Sequence, residues 1–300
     1  MIILTNCCGF FSNFFKVLNW ELENKDDKVI VPYFISRSTT LLIGAQPWNM
    51  DKTIYPEKEN IWELMFCPIR EYNKIELNDN KNIFTWDYPK NDDWESRFPS
   101  PLNQIKWGYI FCDASIYSNP LFSEIRKVYH NCYKKFIWTS YLKEHIESNL
   151  KIISNPEKTV AVFIRSGQHF NKYNYIEDII EELKVVMKNY DKLFLVTTVM
   201  PFIEKITTVF GDKVCFLSDK NMTKNDNDDW GCYRTNPNSP WIMKNIDYKK
   251  ECIQCFTDVY LASTCDKILG GSSNMFLGAL IINPSIKFKI LDVFKNINGS

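Results

Sequence analysis

Two short stretches carry residue types whose spacing fits the binding of an anion. In VAVFIRSGQHFN, residues 160–171, an apolar run ends in Arg165 and a small polar turn. In KILGGSSNMFLGALII, residues 267–282, a second apolar run ends in Gly270, Gly271, Ser272, Ser273 and Asn274 before a stretch of small and apolar residues. Glycine lets a backbone come close to a ligand, and the free N–H groups at a helix start carry partial positive charge. A guanidinium can grip two phosphate oxygens at once. Together the stretches make a candidate cradle for a diphosphate. Taken singly, each has a plainer reading, the arginine as a surface ion pair and the GGSS sequence as a turn. Neither is a Walker loop, which ends in GK[ST], nor a GxGxxG fingerprint.

The elements around them must bring the two together. A strand over 159–164 precedes Arg165. Ile176, Ile179, Ile180, Leu183, Val186 and Met187 recur at helical spacing, and Asn174 with Glu177 supplies an N-cap signal. LFLVTTV (193–199) reads as a strand, Pro201 opens a helix that Gly211 closes, and VCFLSD (214–219) reads as the next strand. A helix from about Tyr248 to Cys265, the strand KILGG, a small-residue helix and the strand KFKILDV (287–293) complete the series. Strands alternating with helices imply right-handed crossovers and a parallel, doubly wound α/β sheet. Ligands of such sheets bind outside the carboxyl ends of the strands, where both stretches fall. The polar segment between Asp219 and Tyr248 is either a lid over the ligand or a disordered insertion.

The first half is less regular. Residues 2–4 are strand-like, 11–22 helix-like and 29–35 strand-like, while 36–110 read as loops containing Trp48, Trp62, Trp94 and Trp107. These tryptophans either stack on sugar rings or, by default, anchor core and loops. A helical stretch over 121–150 leads to Asn155 and Pro156, which divide the chain into domains 1–155 and 156–300.

The chain has 300 residues, 45% of them hydrophobic, with 36 Lys plus Arg against 36 Asp plus Glu. This is enough apolar material for two ordinary domains, and the balanced charge offers no global field for nucleic acid or an anionic membrane. No apolar run is long enough for a transmembrane helix, and the apolar N-terminus lacks the basic region of a signal peptide. A cytoplasmic protein with reduced thiols is expected. Cys252 and Cys255 form a CxxC that, with Cys232 and Cys265, has the ligand types of a zinc site, but their helical spacing with Ile253, Phe256 and Tyr260 favours plain packing, and no metal is expected.

These stretches resemble the nucleotide-binding domain of the fucosyltransferase-like glycosyltransferases of the GT-B class, the group holding protein O-fucosyltransferases and alpha-1,6- and alpha-1,2-fucosyltransferases. VFIRSGQ resembles their H-x-R-x-x-D strand end through Arg165, with Phe163 and Gln168 in place of the histidine and the acid. TDVYLASTCDKILGGSSNMF resembles their acidic helix and Ser-Ser turn, and CCGFFSNFF resembles the N-terminal G-x-x-G-N-Q loop through Gly9 and Asn13. The resemblance covers roughly residues 1–20 and 156–285.

It implies two Rossmann-like domains facing an interdomain cleft, with the donor in the C-terminal one. It also implies that Arg165 holds the beta-phosphate of a nucleotide sugar. Gly271, Ser272, Ser273 and Asn274 would bind the phosphates, Asp258 would accept from a guanine edge, Gly9 would line the cleft and Asn13 would face the sugar or acceptor. The expected activity is inverting, metal-independent transfer of a sugar, fucose from GDP-fucose first, to a glycan or glycoconjugate hydroxyl, with no cofactor beyond that co-substrate. A UDP-sugar or another GDP-sugar as donor, and a noncatalytic glycan-binding protein of the same fold, remain open alternatives. Asp51, Glu57, Glu63, Glu71, Asp92, Asp93 and Asp113 are unranked candidates for the base that deprotonates the acceptor.

Overall fold

A computed structural model of the chain describes residues 1–5, 10–24, 28–33, 59–73, 83–85, 117–164, 175–220, 222, 248–271 and 273–295. In the first half, β1 (Ile2–Thr5), α1 (Phe10–Glu23), β2 (Ile30–Tyr33), α2 (Ile61–Met65), β3 (Ile83–Thr85), α3 (Phe122–Tyr133) and α4 (Ser140–Leu150) follow in order. The three strands form a parallel sheet in the order β2–β1–β3. In the second half come β4 (Thr159–Phe163), α5 (Tyr175–Val186), β5 (Lys192–Val196), α6 (Met200–Phe210), β6 (Val214–Cys215), α7 (Tyr248–Thr264), β7 (Lys267–Gly270), α8 (Asn274–Ile282), β8 (Lys287–Ile290) and α9 (Asp292–Lys295). Its five strands are all parallel, in the order β6–β5–β4–β7–β8.

Burial explains these elements. All five residues of β4 are buried, as a parallel strand covered on both faces must be. The α5 stripe Ile176, Ile179, Ile180 and Leu183 is buried, as the apolar face of an amphipathic helix must be. Gly211 closes α6 with φ 59, a left-handed value natural to glycine, and Pro201 stands in the first turn. In α8 every residue from Phe276 to Ile282 is buried, so this helix is apolar on all sides and enclosed on all sides.

Several sequence expectations need correction. The strand expected over 214–219 pairs only at Val214 and Cys215. That expected over 287–293 ends at Ile290, after which Asp292 starts a short helix. The helical stretch 121–150 is two helices, because Thr139 is extended and its hydroxyl caps α4 by accepting from the Leu142 N–H. The expected loops of 36–110 contain α2 and β3. Asn174 and the polar segment beyond Met222 up to residue 247 lie outside the described residues.

Helices of the first half pack directly on α7 and α8. Phe11 stacks on Phe256 of α7 with ring centroids 6.3 Å apart. A Cβ at Gly278 of α8 would overlap the Phe11 ring, so the glycine lets α1 and α8 touch. Arg126 of α3 reaches past the end of α8: Nε donates to Leu280 O at 3.1 Å, and Nη2 donates to Asn283 O and Ile286 O, both at 3.0 Å. Its guanidinium lies between the Phe122 and Phe288 rings, 5.8 and 5.4 Å from their centroids. The buried apolar side chains of both halves accordingly form one connected cluster. Among the described residues, no helix is long and apolar enough to cross a membrane.

Candidate functional site

The strand order reverses between β4 and β7: the chain runs from β4 outward to β6, then crosses back to β7 and β8. A crevice at the carboxyl ends of β4 and β7 is where an open α/β sheet binds its ligand. Phe163, the last residue of β4, pairs in register with Gly270, the last residue of β7. The two stretches singled out in the sequence therefore leave the sheet side by side. Arg165 follows two residues after Phe163 and Ser272 two residues after Gly270, and both lie outside the described residues, as does Gly9.

Ser273, Asn274 and Gly271 are in place at this edge, each with a structural task. Ser273 is the N-cap of α8, its Oγ accepting from the Phe276 N–H at 3.1 Å. Asn274 reaches across to α1, where Nδ2 donates to Ser12 Oγ at 2.6 Å, and its Oδ1 is enclosed without a partner among the described residues. A Cβ at Gly271 would stand 2.8 Å from Phe294 Cγ, so this glycine is required by the ring beside it. Phe163, standing where the related motif has histidine, is 4% exposed and packs edge-on against Phe276 at 5.6 Å. It is a core residue.

The N-terminal candidate is enclosed. Asn13 is 0% exposed, and its Oδ1 accepts from the buried Lys16 Nζ at 3.3 Å. It occupies the interior of α1 rather than an open face toward an acceptor. Of the acidic residues considered as a base, Glu63 accepts from the Tyr72 hydroxyl and Glu71 is exposed. Asp51, Glu57, Asp92, Asp93 and Asp113 lie outside the described residues, as do Trp48, Trp94 and Trp107. Trp62 is buried, its ring centroid 4.6 Å from that of Phe66.

Asp258 sits on the face of α7 toward the turn after β6. Its Oδ2 accepts from Lys220 Nζ at 2.8 Å, with both side chains 4% exposed, while Oδ1 has no partner among the described residues. Burial pushes the Asp258 carboxyl above its ordinary value, and the Lys220 ammonium opposes that push without overcoming it. One turn earlier, Gln254 is equally buried, and neither its Oε1 nor its Nε2 has a partner among the described residues. Gln254 and Lys220 were missed in the sequence. The available signal was a glutamine four residues before Asp258, set among the apolar Ile253, Cys255 and Phe256.

Cys252 and Cys255 are thiols outside any disulfide, one helical turn apart in α7, and burial raises the Cys255 pKa well above the ordinary thiol value. Among the described residues no three His, Cys, Asp or Glu side chains are grouped as a metal site would need, and Cys232 lies outside them.

No family model and no curated protein sequence matches the chain. Solved structures do. The fucosyltransferase NodZ from Bradyrhizobium superposes with a TM-score of 0.50 at 10% identity, over 94% of this chain and 92% of that one. NodZ alpha-1,6-fucosyltransferase co-crystallized with GDP gives 0.50 at 11% identity, over 96% and 94%. POFUT1 in complex with GDP gives 0.50 at 12% identity, over 97% and 98%. The chain has the α/β fold of these fucosyltransferase-like GT-B structures.

Proposed function

We propose that the protein is a glycosyltransferase that moves a sugar from a nucleoside diphosphate sugar, GDP-fucose, to a hydroxyl of a glycan or glycoconjugate with inversion and without a metal. The observation that carries this reading is the register of Phe163 with Gly270, by which β4, the strand that precedes Arg165 in the sequence, ends beside β7 at the point where strand order reverses. That two of the structures sharing the fold were solved with GDP supports the choice of nucleotide.

In the proposed reaction the acceptor oxygen attacks the anomeric carbon as its bond to the diphosphate breaks. Negative charge grows on the leaving oxygen, so a fixed guanidinium and the N–H groups at a helix start stabilise the transition state more than the ground state. Asn274 and the Ser273 cap hold that helix start in place.

Two measurements test the proposal. GDP should raise the melting temperature more than UDP at equal concentration, because a ligand of the native state stabilises it by mass action. Arg165→Ala should fold normally and lose about a hundred- to a thousandfold in transfer or donor hydrolysis, and Arg165→Lys should recover part of it. A folded Arg165→Ala protein within about threefold of wild type removes the assignment. The packing of Phe163 as a core residue favours, as a second reading, a glycan-binding protein that retains the fold without catalysis. A protein whose transition no nucleotide shifts, but a glycan does, is that second one.

A further inference from the structure

The turn between α3 and α4 is pinned to the end of α2 where it carries one exposed apolar side chain. Ile137 O accepts from the Cys67 N–H at 2.8 Å, and the Thr139 N–H donates to Met65 O at 3.0 Å, framing an antiparallel bridge between Trp138 and Phe66. In an extended segment successive side chains point to opposite sides. Phe136 turns inward, 4% exposed and edge-on to Trp62 at 5.3 Å, and Trp138 turns inward against Tyr260 at 4.8 Å. Ile137 between them is held outward and is 63% exposed. Tyr141, in the first turn of α4, is 49% exposed, and Lys249 of α7, paired with Glu59, lies 5.9 Å from its ring centroid.

The charge along this turn has one sign. Residues 132–143 hold Lys134, Lys135 and Lys143 and neither Asp nor Glu. The three lysines are exposed and make no ion pair among the described residues. The nearest acid before them, Glu124, is paired with Lys127 at 2.9 Å, and the next after them is Glu144. Val185 on α5 supplies the contrast. It is equally exposed, at 63%, but shares its helix with Glu177, Asp178, Glu181 and Glu182, and the adjoining Lys184 is paired with Glu181 at 2.6 Å. A single exposed apolar side chain needs no explanation, whereas an isoleucine and a tyrosine set among lysines complement one kind of surface. A bilayer with anionic lipid presents negative charge outside and apolar chains just beneath, and it requires no groove. We propose that the α3–α4 turn docks on an anionic membrane surface, with the lysines at the headgroups, Tyr141 at the interface and Ile137 reaching the acyl boundary. Because the chain as a whole has no net charge, the attraction is local, acting within a Debye length of about 10 Å at 0.1 M salt. Docking of this kind spans nothing, and it stands or falls apart from the transfer reaction proposed above.

Co-sedimentation of the full chain with lipid vesicles is the test. Wild type should pellet with vesicles of equal parts phosphatidylcholine and phosphatidylserine, stay in solution with phosphatidylcholine alone, and leave the mixed vesicles as salt is raised. Lys134→Ala combined with Lys135→Ala should weaken partition about twentyfold, since each lysine near an anionic surface is worth about fivefold. Ile137→Ser should weaken it about tenfold, through the apolar area no longer buried. Val185→Ser, the control of equal exposure, should leave it unchanged. These variants should melt with wild type, because the altered side chains are exposed. Should Ile137→Ser fail to fold, the paired lysine variant decides. Equal pelleting with both kinds of vesicle, pelleting with neither, or partition of the folded Ile137→Ser or paired lysine variant within about twofold of wild type overturns the proposal. If no vesicle binds and ultracentrifugation shows a dimer that Ile137→Ser dissolves, the occupant of this turn is a second copy of the chain and the membrane assignment falls.

Discussion

Asp266, just before β7, accepts from the Tyr190 hydroxyl at 2.6 Å and from Lys287 Nζ at 2.7 Å. The Lys287 hydrogen bond, then that of Tyr190, holds its carboxyl below the ordinary range. A depressed carboxylate pKa contributes stability above the unfolded value and loses it as pH falls through the folded one. Asp266→Asn should therefore cost about 0.5–1 kcal/mol at neutral pH, as expected of a largely solvated pair, and the difference should close as pH falls below the ordinary carboxylate range. Urea melts of both proteins across that range measure it. At this scale the sequence showed the ends of strands well: β4 ends at Phe163 and β7 at Gly270, close to where their apolar runs give way to a cation and to a GGSS turn. Side chains whose role depends on burial were not legible. Nothing in the letters of α1 says that Asn13 is enclosed, and nothing in those of α7 says that Gln254 lacks a partner, because both facts arise from what other elements place around them.

At the scale of elements, α8 is held at both ends and along its side. Removing the Arg126 fork would leave Leu280 O, Asn283 O and Ile286 O short of donors, so Arg126→Met should destabilise the protein by about 3 kcal/mol in urea unfolding. Arg126→Lys should restore only part, since an ammonium cannot span the same carbonyls in one plane. Gly278→Ala drives a methyl group into the Phe11 ring and should cost about 1–3 kcal/mol, read in the same experiment. The strands and helices of the second half were legible because buried parallel strands leave unbroken apolar runs and their helices leave a repeat of three and four. The division of 121–150 was not, because residues 134–139 carry no glycine or proline and the break depends on Thr139 turning its hydroxyl to Leu142 N–H and Leu64 O. β3 escaped because a strand of three residues is too short to show any period.

For the whole molecule, the Phe10, Phe11 and Phe14 contacts with Phe256 join the two halves through one apolar cluster. Far-UV and near-UV signals should accordingly be lost in one coincident transition, and residues 156–300 expressed alone should bind a hydrophobic dye, having lost the cover over Phe256 and Gly278. The doubly wound sheet was visible in the order of elements. The shared core was not, since the sequence speaks of each half's own apolar faces and not of which faces meet. Arg126 also acts at a distance. Its cation, lowered to a pKa of about 10 by burial yet still charged at neutral pH, sits at the negative end of the α8 dipole. Nine residues of helix carry that charge to within roughly 16 Å of the opposite end. Through an interior of effective dielectric near 20, a unit charge there raises the potential felt by an anion at the far end by about 1 kcal/mol. For the diphosphate proposed above, an arginine that never meets it thus sets part of the voltage at its end of the helix.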